Sequence, residues 1–195
     1  MLSSIRPAVL LSLAFFIFFT LSVGCDRTSV HHVPADPTDV ESPSSDVKLT
    51  EGDSETFSQI VSSHQGQVVL VDFWATWCGP CVKQFPHSIE LAHKYRDRGF
   101  AVVTVSMNEP KERDAVLAFL VRQKADVENL LPRYGAGTEF LEAFDLRGDV
   151  PFYKLYDRRG VLRYTFSSDP EGIENCEPIE MIDQRVEELL FSENP

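Results

Sequence analysis

The stretch that decides the fold is VVLVDFWATWCGPCVKQFP, residues 68–86. Its first half is an apolar, β-branched and aromatic run interrupted by the single charge of Asp72, as expected of a strand buried on both faces. The second half sets Cys78 and Cys81 two residues apart at the head of a helical pattern. Val82, Phe85, Ile89, Ala92 and Tyr95 recur on one helix face, and Gly99 is the stop. A cysteine at such a strand-to-helix junction meets unpaired N–H groups and the positive end of the helix dipole, which favour a thiolate. Its pKa falls, and it becomes a nucleophile toward disulfides. A second cysteine one turn on can resolve the mixed disulfide by attacking the first. Gly79-Pro80 fits between them, since proline suits a first helical turn whose N–H would be unpaired anyway. Two other roles compete on spacing alone: two ligands of a metal site, or two buried thiols. Tetrahedral zinc needs four ligands, and no second CxxC or suitably spaced Cys/His pair follows.

Outward from this stretch, element types alternate. Residues 53–66 read as a helix capped by Asp53 or Ser54, with Phe57, Ile60 and Val61 inward and Gly66 as the stop. Residues 100–107 read as a second buried strand, and 109–124 as a helix with Pro110 in its first turn. A short helix is expected over 138–144. PFYKLYD and VLRYTFS read as strands of a hairpin whose turn, 157–160, ends on Gly160. A last helix over 178–191 is apolar at Ile179, Ile182, Val186 and Leu190. The order β-α-β-α, then β-hairpin-α, implies an α/β fold: a mixed central sheet with helices on both faces.

The N-terminal residues read differently. One charge, Arg6, precedes the uncharged AVLLSLAFFIFFTLSVG of residues 8–24, the pattern of a secretory signal. The segment ends LSVGC and resembles the lipobox of bacterial lipoproteins, which makes Cys25 the expected acylation site. Ser22 stands where that pattern favours leucine, with Leu21 one position further back. Residues 26–45, rich in Pro, Ser, Thr and Asp, cannot supply a core and read as a tether reaching roughly 25 Å as a coil. The expected organisation is signal 1–24, tether 25–46 and folded domain 47–195.

VDFWATWCGPC, residues 71–81, resembles the active-site signature of the thioredoxin family almost letter for letter. The resemblance implies the thioredoxin fold and dithiol-disulfide exchange. It makes Cys78 the attacking cysteine, Cys81 the resolving one, Trp77 a rim residue and Asp72 the buried acid that moves the proton of Cys81. Pro86 matches a proline within the active-site helix. Val150-Pro151 matches the cis-proline that faces the CxxC and, with Trp77, Gly79 and Pro80, borders the substrate. The likeness covers about three quarters of the chain. Within the family it is greatest to the tethered, extracytoplasmic oxidoreductases, which carry an insertion after the third strand; residues 125–137 would be part of it. Protein disulfides outside the cytoplasm are then the implied substrates, in cytochrome c maturation or thiol repair, with a membrane electron donor, a lipid anchor and no cofactor. The sequence departs from the family in three places. RGDVP has one residue more than the usual RG-x-P. VVTVSMN lacks the lysine that pairs with the buried acid, so desolvation should raise the Asp72 pKa. The tethered subgroup itself often has a neutral residue at the position of Asp72.

Composition bounds the alternatives. With 18 basic and 30 acidic residues the net charge is −12, and no basic block exists to hold nucleic acid. Four cysteines in 195 residues are too few for a disulfide scaffold. A peroxidase of the peroxiredoxin kind would need Thr-x-x-Cys, whereas TWC has the wrong spacing. A thioredoxin-fold binding or metal-chaperone module is the alternative to an enzyme. Cys176 has no evident partner in the sequence.

Overall fold

In the computed structural model, residues 47–147 and 149–192 are described. Along them run β1 (Thr50–Gly52), α1 (Ser54–Ser63), β2 (Val68–Trp74), α2 (Gly79–Tyr95), β3 (Phe100–Ser106) and α3 (Arg113–Arg122). Then come β4 (Glu128–Pro132), α4 (Thr138–Ala143), β5 (Phe152–Tyr156), β6 (Leu162–Ser167), β7 (Cys176–Pro178) and α5 (Ile182–Phe191). The expected signal, Cys25 and the tether lie outside the described residues.

The strands form one sheet in the order β1-β4-β3-β2-β5-β6-β7. β1, β4, β3 and β2 are parallel, β5 joins β2 antiparallel and pairs antiparallel with β6, and β7 returns parallel to β6. The mixed sheet read from the sequence is therefore present, with three strands that the sequence pattern did not reveal: β1, β4 and β7. β4 falls inside the segment read as part of an insertion, and it lies within the sheet between β1 and β3. Asn129 holds it there. Its Oδ1 accepts the Thr104 hydroxyl of β3 at 2.8 Å, and its Nδ2 faces the carbonyls of Lys48, Ala125 and Val127 at 3.0, 3.0 and 2.8 Å. Val150-Pro151 directly precedes β5, the third strand from the C-terminal end.

β2 is central because every residue in it is buried. Alternation sends Val69, Val71 and Phe73 to one face and Val68, Leu70, Asp72 and Trp74 to the other. On the first face Phe73 meets Phe57 of α1 and Phe140 of α4, with ring centroids 6.1 and 6.4 Å apart. On the second, Val68 and Leu70 pack with Leu91 and Tyr95 of α2 and with Ile182 and Val186 of α5. Trp74 lies between Phe85 of α2 and Phe119 of α3 at 4.7 and 4.6 Å, pairs worth about 1 kcal/mol each beyond their buried area. That cluster fixes the head of α2 against the sheet. Gly99, at φ 73°, closes the short 3-10 turn that ends the helix.

Candidate active site

Cys78 is the N-cap of α2. It is in extended conformation, and its Sγ accepts the Cys81 N–H at 3.2 Å. Gly79 and Pro80 form the first turn, where the missing proline N–H costs nothing. The two cysteines are joined as a disulfide with their Cα atoms 5.2 Å apart. Both are buried, Cys81 almost completely. Around them Trp77, Gly79 and Pro80 are exposed, Trp77 at 55%. Three exposed residues thus form a rim beside the buried disulfide.

The Val150–Pro151 peptide is cis, and the Val150 carbonyl oxygen lies 3.5 Å from Cys78 Sγ. In the disulfide this is a contact without a proton; a reduced Cys78 would bring an S–H to the same oxygen. The sequence thus places Trp77, Cys78, Gly79, Pro80, Cys81, Val150 and Pro151 at one end of the sheet.

Asp72 lies on the α2 face of β2 and is 1% exposed. Its Oδ2 accepts the Ser88 hydroxyl at 2.7 Å, and its Oδ1 has no partner. Burial pushes its pKa up from 3.8 to about 7, against the lowering effect of the Ser88 hydrogen bond. No cation offsets that burial, as the missing lysine implied. Directly across the strand pair stands Tyr153, whose phenol is held well above its ordinary pKa by burial and by the Asp72 charge.

Two contributors escaped sequence reading. Ser88 sits seven residues after Cys81, two helical turns along the same face. Asn108, fully buried, clamps the approach loop: its Oδ1 accepts the Thr76 N–H at 2.9 Å, and its Nδ2 donates to Thr76 Oγ1 at 2.7 Å and to Glu112 Oε2 at 3.1 Å. The signal for Asn108 was faint: a lone polar residue just past an apolar strand. His87, next to Pro86, donates its Nε2–H to Asp183 Oδ1, 2.6 Å away on the surface. Cys176 is half-buried and unbridged, its thiol pKa raised chiefly by burial. Among the described residues no cluster of three or more His, Cys, Asp or Glu is arranged to hold a metal ion.

Two sulfurs joined at the head of an amphipathic helix are set up for electron-pair exchange with other disulfides. The mixed sheet that carries them is the thioredoxin fold, so the molecule is a thioredoxin-superfamily thiol-disulfide oxidoreductase. Its sequence matches the Redoxin family over residues 39–177, and the chain belongs to that family. Thiol-disulfide oxidoreductase ResA of Geobacillus kaustophilus (strain HTA426) is 31% identical over 168 residues, covering 81% of this chain and 83% of that one. Among solved structures, a thiol:disulfide interchange protein DsbE of Chlorobium tepidum superposes with a TM-score of 0.53 at 26% identity, over 67% of this chain and 84% of its own. A thioredoxin of Neisseria meningitidis, 20% identical, shares the fold with a TM-score of 0.53 over 68% of this chain and 81% of its own.

Proposed function

We propose that this oxidoreductase works outside the cytoplasm as a reductant of protein disulfides, with Cys78 as nucleophile and Cys81 as resolving cysteine. The Cys78 thiolate attacks one sulfur of the substrate disulfide. A Cys78–substrate bond forms, and the substrate bond breaks with its electron pair on the leaving sulfur. Asp72 then takes the proton of the Cys81 thiol, and the Cys81 sulfur attacks Cys78. The Cys78–Cys81 bond forms and the second substrate sulfur leaves with its electrons. The substrate lies along Trp77, Gly79, Pro80 and Val150. Proline at 151 offers no N–H there, and the main chain of Val150 before it is the segment that pairs with the substrate main chain. One observation carries the assignment of roles. The sulfur of Cys78, at the N-cap of α2, is the one that receives a backbone N–H, while Cys81 is sealed beneath it.

Residues 1–24 act in this reading as an export signal, Cys25 as the lipidated residue, 25–46 as the tether and 47–195 as the catalytic domain. Two or more acyl chains would hold the protein on the membrane, since one binds only marginally. A membrane donor returns electrons to the oxidised pair. Cytochrome c maturation is the process the resemblance suggests.

Reduction of insulin disulfides by the full-length protein tests the proposal, with the potential of the Cys78/Cys81 couple measured alongside. Cys78→Ser should lose all activity above the uncatalysed rate; equal rates would leave a binding or metal-chaperone module as the reading. A reductant should have a potential nearer the roughly −270 mV of thioredoxin than the roughly −120 mV of a strong oxidant such as DsbA. A value at the oxidising end reverses the direction of electron flow.

A further inference from the structure

The carboxylate of Asp72 is asymmetric. One oxygen has a short hydrogen bond from Ser88; the other is buried with nothing bonded to it. A carboxylate with both oxygens unpartnered in a dry interior stays protonated through neutral pH and cannot serve as a base. The groups facing Asp72 offer no other help. Tyr153 of β5 is a phenol kept protonated by its surroundings. Thr104 of β3, in register with Asp72, turns its hydroxyl to Asn129. No lysine, arginine or histidine of α2, α5 or the neighbouring strands contributes to the Asp72 shift. Among the described residues, Ser88 is thus the only group that stabilises the ionised acid.

Behind Ser88, between α2 and α5, is a cavity of about 20 Å³ whose polar walls are Ser88, Tyr153, Gln84 and His87. That is room for one water molecule. A donor placed there would bond to the Ser88 oxygen while its proton points at Asp72, and such a chain strengthens the bond it feeds.

We infer that Ser88 is a positioning residue of the redox site: its hydroxyl holds Asp72 Oδ2 and leaves Oδ1 as the oxygen that takes the Cys81 proton. The transfer is simple in balance. The proton moves from Cys81 sulfur to Oδ1, the electron pair stays on that sulfur, and the Ser88 hydrogen bond remains in place throughout. This inference rests on the role proposed above for Asp72. It extends that role by naming the residue that keeps the acid ionised in the working pH range.

The test follows single-turnover reduction of insulin by the prereduced, full-length protein as a function of pH. Wild type, Ser88→Ala and Ser88→Thr are compared, with the infrared band of the buried protonated carboxyl identified by its loss in Asp72→Asn. In Ser88→Ala both the rate midpoint and the carboxyl titration should move up by about one to two pH units, with about a tenfold loss of rate at pH 7. Ser88→Thr, which keeps the hydroxyl, should return both to wild-type values. An unmoved midpoint and band in Ser88→Ala overturns the inference, even if the melting temperature falls. So does a folded Ser88→Thr that titrates like Ser88→Ala. The infrared measurement reads Asp72 without turnover, so inactivity of the wild type would count against the reductase reading alone.

Discussion

Two buried ionisable side chains sit almost back to back in this sheet, and they do opposite things. Asp72 on β2 faces α2, across the strand pair from Tyr153. Lys154, the next residue of β5, pairs with Val71 and faces the other side. Both are at most 5% exposed. Lys154 has its ammonium on the carbonyl of Phe144 at 2.8 Å, and Phe144 is the C-cap of α4. A cation at a helix C-terminus satisfies an orphan carbonyl and suits the dipole there. Its pKa is lowered, mainly by burial. Asp72 has no helix end and no counter-charge, and one oxygen is unbonded. The contrast separates a buried charge that secures an element from one that, in the proposed function, is kept ready to accept a proton.

The contrast is strongest in Asp72→Asn. Asparagine keeps the shape and can still accept from Ser88, but it cannot take a proton from Cys81. The resolving step should slow by about 10²- to 10³-fold, within the usual worth of a general base. Stability should move the other way. Because the folded-state pKa is near 7 and the unfolded value near 3.8, the folded protein holds the extra proton between these limits. Wild-type stability therefore falls as pH rises from about 4 to 7, by up to about 4 kcal/mol. Urea unfolding of the oxidised protein should show Asp72→Asn equal to wild type near pH 3 and more stable at pH 8. A variant that is less stable at pH 8, or as fast as wild type, would put Asp72 in the same category as Lys154.

How much of this was legible before the structure follows from where each side chain finds its partner. The CxxC, its strand and its helix could be read because periodicity and motif lie within one stretch of sequence. Gly160 in the hairpin turn and Pro151 after Val150 were legible for the same reason. β1 and β7 have three residues each, too short for any period to emerge, and the five of β4, ENLLP, carry no β-branched or aromatic residue and end on proline. Their pairing comes from neighbours distant in sequence, such as Asn129 with Lys48. In PFYKLYD the alternation makes Lys154 look like the solvent-facing residue of a half-buried strand. α4, more than ten residues upstream, covers that face and buries it. Ser88 looked like an ordinary polar residue of an amphipathic helix because its partner, Asp72, belongs to a strand sixteen residues earlier.

Lys154→Met tests the other half of the contrast. Methionine fills much the same volume and leaves the Phe144 carbonyl buried without a donor, a loss of about 1–3 kcal/mol in urea or thermal unfolding. Insulin reduction should stay at the wild-type rate, because the side chain lies on the face of the sheet away from α2. A rate loss comparable to that of Asp72→Asn would make the two charges parts of one site.

The smallest expected effect is in the alkaline range, and its sign is the informative part. A lysine with a lowered folded-state pKa releases its proton in the folded protein before it does so in the unfolded chain. Just below pH 10.5 the unfolded chain therefore binds more protons, and stability rises with pH across that window. This is the reverse of the Asp72 slope between pH 4 and 7. The rise should be present in wild type and in Asp72→Asn, and absent in Lys154→Met. Comparing variants at each pH removes the contribution of the other titrating groups. If the alkaline slope survives in Lys154→Met, another residue carries it, and the Phe144 carbonyl holds the ammonium without cost to its proton. If it disappears in Asp72→Asn as well, the two buried charges interact through the sheet instead of acting independently on its two faces.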